Sequence, residues 1–282
     1  MKIGSQHRYR VRGEQMRHRV QTVLKSFLIA ALFGAIAAPL SAETGSENQQ
    51  TVGPVLWQPS MNVFRRFDGD AADMYRFYNE VLGFESLNTF DVGGNTQVMR
   101  IRAGASELKF TGRVPDRQYV EGGVTNATGL RLWTFFFSDE EALSRRFAEH
   151  GLPEPQFEST DAGTRRSAIV RDPDGQIVEL VITGDPPGTS YDEIELGFVV
   201  SDIDASLAFY RDFVGLEPVG SIHDSRFGTD KHIFRHGSTI VTLRSFGAGL
   251  PADTGSAGDV MHLRANPANE VFPGVRGAVT PG

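Results

Sequence analysis

One carboxylate in the segment 176–182 stands out as a residue whose type and position could do chemistry. Alternation along this strand-like run puts Glu179 on the same face as Ile177 and Val181. A carboxylate among aliphatic side chains must be paired with a cation or protonated, because burial disfavours its charged form. Glu179 is therefore a candidate general base or ligand-binding carboxylate, and a purely structural salt link is the alternative.

Other catalytic chemistry is limited by what the sequence lacks. The chain has no cysteine, which excludes thiolate zinc sites, iron–sulfur clusters and cysteine nucleophiles. It also contains no Gly-x-Ser-x-Gly, Walker or His-Glu-x-x-His motif. Trp133 lies in an aromatic run with Phe135 and could stack on a ligand, although such residues in strands are more often core.

The charge distribution bears on the partner. Residues 1–42 hold seven Lys or Arg and one Asp or Glu, so the remaining residues hold 21 basic and 34 acidic side chains. An acidic body argues against non-specific binding to nucleic acid or to an anionic membrane, since both need basic patches. A small molecule is the expected partner.

The amino-terminal segment has the pattern of a secretory signal. Residues 16–42 run from basic residues through the apolar segment 27–40 to Ser41 and Ala42. The apolar segment has about 14 residues, short of the roughly 20 that span a bilayer. We therefore expect a signal peptide over 1–42 that is cleaved after Ala42, a periplasmic or secreted protein without stable membrane insertion, and a flexible lead-in over 43–56.

The rest of the chain repeats itself. An offset of 132 residues aligns the Phe77-Tyr78 pair with Phe209-Tyr210 and Gly83 with Gly215. Each copy begins with a strand-like run, continues with an amphipathic helix that ends near the glycine, and ends with further strand candidates. The pattern predicts a β-α-β-β-β unit, which makes the fold class α+β.

Two further units complete the predicted organisation. A diverged unit lies between the two copies and ends in strands around a turn at 172–175. A fourth unit begins near Val260 and is incomplete at residue 282. We expect a first domain over 57–184, made of units one and two, and an incomplete second domain over 190–282.

These features resemble a known superfamily. The repeated units, the Phe-Tyr followed by Leu-Gly-Phe, and the hairpin Arg-Asp-Pro-Asp-Gly-Gln-Ile-Val-Glu-Leu at 171–180 are similar to the vicinal oxygen chelate (VOC) superfamily, which includes glyoxalase I, bleomycin-resistance proteins and extradiol dioxygenases. The resemblance covers about 57 to 265. It implies paired units whose mixed sheets form a curved cup around a small-molecule site, with the helices outside.

The resemblance also implies four cup-facing positions that hold a divalent metal in enzymes of the superfamily. For units one and two these positions fall on Val63, Lys109, Leu132 and Glu179. Only Glu179 is a metal ligand by type, whereas a catalytic metal needs at least three protein ligands. We therefore expect a metal-free cup in which Val63, Lys109, Leu132, Trp133 and Glu179 contact the ligand, and in which Lys109 pairs with Glu179.

For units three and four the same positions hold Glu195, Thr242 and His262. Glu195 and His262 are acceptable ligands for iron, manganese, nickel or zinc, but they are two where three are needed. The incomplete domain also leaves an edge of unit three uncovered, which predicts a homodimer through 190–282.

Two classes of function follow from the resemblance. The first is an exported, bleomycin-resistance-like protein that binds a small organic molecule in the cup of units one and two without a catalytic metal. The alternative is a metal-dependent lyase or extradiol-dioxygenase-like enzyme that uses Glu179, or Glu195 with His262.

Overall fold

The computed structural model describes residues 60–91, 97–112, 120–160, 165–253 and 260–262, all within the compact unit Glu47–Gly282. The predicted signal segment 1–42 and the lead-in 43–56 lie outside the described residues and stay predictions. None of the helices in the described part of the chain has the length and apolar character needed to cross a membrane.

Each of the three complete units contains a helix flanked by strands. Unit one consists of β1 (Asn62–Phe67), α1 (Ala71–Tyr75) with a π-helical continuation (Arg76–Val81), β2 (Glu85–Asp91), β3 (Gln97–Ala103) and β4 (Ser106–Gly112). Unit two consists of a 3-10 turn (Val124–Asn126), β5 (Gly129–Phe137), α2 (Glu140–Glu149), β6 (Glu158–Ser159), β7 (Arg166–Arg171) and β8 (Ile177–Ile182). Unit three consists of β9 (Ile194–Val199), α3 (Ile203–Ala208) with a π-helical continuation (Phe209–Val214), β10 (Glu217–Asp224), β11 (Thr229–His236) and β12 (Thr239–Arg244). The strand β13 (Val260–His262) is the described start of unit four.

The helices begin alike in all three units. The side chains of Asp70, Asp139 and Asp202 each accept a hydrogen bond from a backbone N–H in the first turn, at 2.8, 2.9 and 3.0 Å. The π-helical turns of units one and three fall on the repeated Phe-Tyr pairs. After them Gly83 and Gly215 have φ values of 81° and 78°, a conformation that favours glycine.

The strands form two mixed sheets. The eight-stranded sheet has the order β10-β11-β12-β9-β5-β8-β7-β6, and the five-stranded sheet has the order β13-β1-β4-β3-β2. In every complete unit the last strand is parallel to the first. This arrangement confirms the predicted α+β class and the β-α-β-β-β unit.

The pairing of the units differs from the prediction. Strands β5 and β9 are antiparallel neighbours, so unit two joins unit three, and β1 pairs with β13 of unit four. A close approach at Gly197 accounts for the contact between β5 and β9, because a Cβ added there would lie 2.9 Å from the Cβ of Leu132. The edge of β9, predicted to be uncovered, is thus covered within the chain, and a homodimer through 190–282 stays a prediction.

A shared core joins unit one to the eight-stranded sheet. Aromatic rings of Tyr78, Phe110 and Trp133 lie 4.7 to 6.1 Å apart between centroids. The fully buried Arg65 ends 5.8 Å from the centre of the Trp133 ring. Trp133 therefore belongs to the core and does not stack on a ligand, which corrects the interpretation of this residue as ligand-binding.

Candidate functional site

A polar group lies at the junction of units two and three, on the face of the eight-stranded sheet opposite the core. Trp133 points into the core, so alternation along β5 turns Thr134 to the other face. The strand register places Thr134 opposite both Glu179 on β8 and Glu195 on β9. We call the surface formed by Thr134, Glu179, Glu195 and Thr242 the cup face.

Glu195 is held by cations and a hydroxyl group. The Nζ atom of Lys231 lies 3.4 Å from each of its carboxylate oxygens, and the Thr242 hydroxyl donates to Oε1 at 3.0 Å. A nitrogen of Arg244 lies 3.8 Å from Oε1. Since Glu195 is only 6% exposed, these contacts neutralise a carboxylate that would otherwise be costly to bury.

Arg244 is fixed from its other side. Its Nε and Nη2 atoms donate to the Asp224 carboxylate at 3.0 and 2.8 Å, and Nη1 donates to the Thr242 hydroxyl at 3.1 Å. Both bonds to Asp224 end on its Oδ2 atom, and with the bond to Thr242 they fix the guanidinium orientation. The charge and the hydrogen-bonding capacity of Glu195 are therefore already met by groups that are themselves held in place.

Glu179 has a different environment. The Thr134 hydroxyl donates to its Oε2 atom at 3.1 Å, and the residue is partly exposed toward the cup face. Within the described ranges no Lys or Arg nitrogen comes within 4.0 Å of this carboxylate. Burial among neighbouring groups raises the pKa of Glu179, the charge of Glu195 raises it further, and Lys231 and Arg226 oppose the shift.

A buried hydroxyl lies beside Glu179. Ser167 on β7 is fully buried, and its Oγ atom has no hydrogen-bond partner of normal geometry. It is nevertheless close enough to favour the charged form of the Glu179 carboxylate.

Apolar side chains surround the polar group. Ile169 lies opposite Glu179 in the sheet and is 38% exposed, and Phe136, two residues beyond Thr134, is partly exposed. On the other side of the polar group a buried cluster closes the surface; it contains Val124, Leu132, Ile177 and Val199, with Phe227, Phe246 and Leu250 packed against it. An apolar surface thus adjoins the accessible carboxylate.

The turn between β10 and β11 reaches across to β7. The Nη2 atom of Arg226 donates to the Ser167 carbonyl at 3.1 Å and lies 3.7 Å from the Glu158 carboxylate. This contact ties the outer strands of unit three to those of unit two, and it brings a guanidinium near Glu179.

The predicted site residues are only partly brought together. Glu179 and Glu195, predicted to lie in separate cups, share one cup face. Val63 is buried with Leu108, its register partner on β4, so it faces the core. Lys109 lies in the five-stranded sheet with its ammonium 3.9 Å from Glu107. Lys109 and Glu179 thus lie in different sheets, and the lysine–glutamate pair on the cup face is instead Lys231 with Glu195.

Leu132 and His262, the remaining predicted residues, do not join the two glutamates in the polar group. Leu132 lies on the predicted face but is buried in the apolar cluster. His262 lies on β13 opposite Asn62, in the other sheet from Glu195, and its side chain lies outside what the structure describes. Nothing in the sequence singled out Lys231 and Arg244 as site residues, because lysine and arginine are common on surface strands.

The donor set on the cup face does not fit a catalytic divalent metal. It offers two carboxylates and two threonine hydroxyls, and the described part of the chain contains no group of three or more His, Cys, Asp or Glu side chains placed to hold a metal. Lys231 also sets a positive charge against Glu195. Three protein ligands are the norm for a catalytic zinc site, and a neighbouring ammonium repels a cation.

A separate cleft of about 850 Å³ lies near the 172–175 turn. Two arginines line it, and both are engaged: Arg131 pairs with Asp253, and Arg171 donates to the carbonyl of Gly122 at 2.8 Å. We take the cup face as the candidate site, because Glu179 is partly exposed there and, within the described residues, no cation is in ion-pair contact with it.

Comparison with known proteins supports the same fold. Residues 60–180 match the model of the Glyoxalase/Bleomycin resistance protein/Dioxygenase superfamily. A search of the curated proteins gives no match.

Solved structures show the likeness over a longer range. Glyoxalase I from Zea mays is 19% identical, with 67% of this chain and 68% of that chain covered and a TM-score of 0.53. A mutant of the same enzyme gives a TM-score of 0.54 at 17% identity, with 67% and 69% covered. A candidate dioxygenase from Bacillus subtilis gives 0.52 at 17% identity, with 73% and 69% covered. These likenesses concern the fold.

Proposed function

We propose that this chain, whose residues 60–180 match the model of the glyoxalase, bleomycin-resistance and dioxygenase superfamily, binds a small organic molecule without a catalytic metal. The site is the cup face of units two and three, and not the cup of units one and two that the sequence suggested. The observation that carries the proposal is the pair of glutamates, of which Glu195 is neutralised by Lys231 while Glu179 stays accessible.

The partly exposed carboxylate is suited to bind a ligand. A partly buried charged group beside apolar side chains gains more from a hydrogen-bond or ionic partner than one in bulk water. Ile169 and Phe136 supply the apolar contacts that binding sites for organic molecules commonly provide. We also propose, from the signal-like segment 16–42, that the protein acts outside the cytoplasm.

A second candidate function rests on the raised pKa of Glu179, caused chiefly by burial. A carboxylate with such a pKa is suited to take a proton from a bound substrate. The chain would then be a lyase-like or dioxygenase-like enzyme in which Glu179 is the general base, and a metal, if required, would need ligands beyond the cup face.

The test combines metal analysis with ligand screening on the full chain, purified without chelator. We expect far less than one transition metal per chain, a melting temperature unchanged by a chelator, and organic compounds that raise the melting temperature. Glu179→Gln should remove these shifts. Glu149→Gln, which changes an exposed glutamate on α2, should retain them.

About one transition metal per chain, lost on Glu179→Gln, would contradict the metal-free proposal and favour the enzyme alternative. Ligand-induced shifts that are equal in the two variants would contradict the assignment of the site to the cup face.

A further inference from the structure

The two glutamates of the cup face differ in how their charge is balanced. Glu195 has Lys231 at 3.4 Å and Arg244 at 3.8 Å. Within the described residues Glu179 has the Thr134 hydroxyl at 3.1 Å but no cation in ion-pair contact. Among the described residues, one carboxylate of this surface is therefore in ion-pair contact with cations, whereas the other feels Lys231 and Arg226 only at longer range.

On the basis of the proposed binding function, we infer that the ligand is a protonated primary amine with an apolar body, whose ammonium group binds Glu179. An ammonium supplies a positive charge at the partly exposed Glu179 carboxylate. Both an amine and an alcohol can donate to this carboxylate, but only the ammonium adds a Coulomb attraction, which gives the amine its advantage over an alcohol.

The groups beside Glu179 are hydroxyls that support its charged form. The buried Thr134 hydroxyl donates to one carboxylate oxygen, and the fully buried Ser167 hydroxyl lies near the same carboxylate and favours its charged form. An ammonium has three donors and no acceptor, so it would bind the carboxylate itself, and both hydroxyls act as positioning groups.

The apolar body has a surface of its own. Ile169 is directly opposite Glu179 in the sheet and is 38% exposed, a large exposed fraction for an isoleucine. Phe136 adds an accessible aromatic ring on β5. Burial of such side chains by a ligand contributes about 25 cal/mol for each Å² removed from water.

An anionic ligand does not suit this surface. Lys231 is taken up by Glu195, and Arg226 is bound to the Ser167 carbonyl and lies near Glu158. A carboxylate ligand would face Glu179 with its neighbouring cations already engaged, so repulsion would oppose its binding.

The test compares ligands that share a body and differ in the head group. Benzylamine, benzyl alcohol and benzoate form one set, and hexylamine, hexanol and hexanoate form another. Binding of each to the full chain is measured by calorimetry at pH 8 and low salt. We expect both amines to bind at least about tenfold more tightly than the matched alcohols, and the carboxylates to bind most weakly.

Two variants identify the groups responsible. Glu179→Gln keeps the shape of the side chain and should bring the amines to the affinity of the alcohols, a loss of about tenfold or more. Glu149→Gln should retain the preference. Ile169→Trp, which places a larger side chain directly opposite Glu179, should weaken all probes alike.

The outcomes separate the inference from the function on which it rests. If alcohols or carboxylates bind as tightly as amines, and Ile169→Trp weakens them, the amine inference is overturned and the binding function stands. If no probe binds and no compound of the wider screen binds, both are overturned.

Discussion

At the scale of the residue, Glu179 keeps a carboxylate where an uncharged side chain would be more stable. Burial and the neighbouring charge of Glu195 raise the pKa of Glu179, so its ionised form is disfavoured in the folded protein. Residues that carry function are commonly retained at such a cost to stability. The cost can be measured.

Glu179→Gln is expected to raise the melting temperature at pH 7 to 8 by a few degrees. The pKa of Glu179 is higher in the folded state than in the unfolded state, so the native protein holds this proton more tightly. Stability therefore falls as pH rises from the unfolded-state pKa to the folded-state pKa. Below the unfolded value, near pH 4, both states are protonated and the gain should vanish. Thermal unfolding from pH 4 to 8 checks this, with Glu149→Gln as the control.

A gain of equal size at all pH values would show that the effect is one of packing and not of charge. A loss of stability at neutral pH would mean that Glu179 contributes a favourable interaction that the environment of its carboxylate does not reveal.

The direction of Glu179 was predictable, but the partner of its neighbour was not. Period-two alternation fixes which face a strand residue occupies, and the aliphatic residues around Glu179 identify that face. The cation beside Glu195 depends on which strands become neighbours. Lys231 is on β11, two strands away from Glu195 in the sheet order, and its sequence neighbours give no sign of that contact.

At the scale of the element, the turn between β7 and β8 fastens unit one to unit two. Asp172 accepts hydrogen bonds from the backbone N–H groups of Asp174 and Gln176 at 3.0 and 2.8 Å, which closes the turn. Its other oxygen receives Nη1 of Arg65 at 2.7 Å and the Tyr78 hydroxyl at 2.9 Å. Arg65 binds Asp174 at 2.7 Å as well. One arginine from β1 thus holds both carboxylates of the turn.

Arg65→Met is expected to lower the free energy of unfolding by about 3–5 kcal/mol, because it leaves buried carboxylates without their cation. Arg102→Met is the matched control in the same unit. Arg102 pairs with Glu85 on the surface, where both side chains are more than half exposed, and such pairs contribute about 0–1 kcal/mol. Urea unfolding of both variants measures the difference.

Similar small losses in the two variants would mean that the apolar contacts alone hold unit one in place. Recovery of stability in Arg65→Met at low pH, where the two carboxylates are protonated, would support the electrostatic explanation.

The turn itself was predictable from its Asp-Pro-Asp-Gly sequence, and Gly175 has the expected positive φ of 86°. Each helix begins after an aspartate, a residue type that accepts the first free N–H groups of a helix. The partner of the turn was not predictable. Arg65 precedes Asp172 by 107 residues, and only the packing of units brings them together.

At the scale of the whole molecule, the order of units along the chain does not give their order in space. Each first strand needs a neighbour on its free side, and neighbours in sequence are the simplest assumption. Here β5 pairs with β9 and β1 with β13. The units themselves were evident from the repeat, but their pairing rests on local fit such as that of Gly197 against Leu132, which a single sequence does not show.

The observed pairing predicts how the protein responds to a cut between the two predicted domains. The connection between β8 and β9 is exposed at every residue from 184 to 190, so a protease site inserted there is accessible. Cleavage should leave two fragments that elute together and unfold in one transition, because separation would expose the fully buried strand β9 and the matching edge of β5. Independent domains over 57–184 and 190–282 would instead separate on size exclusion and unfold in two transitions. The cup face takes Glu179 from one fragment and Glu195 from the other. We therefore expect ligands to lose their stabilising effect when the fragments are separated in denaturant, and to regain it when the fragments are remixed and refolded. This result would place the binding site at the junction of units two and three.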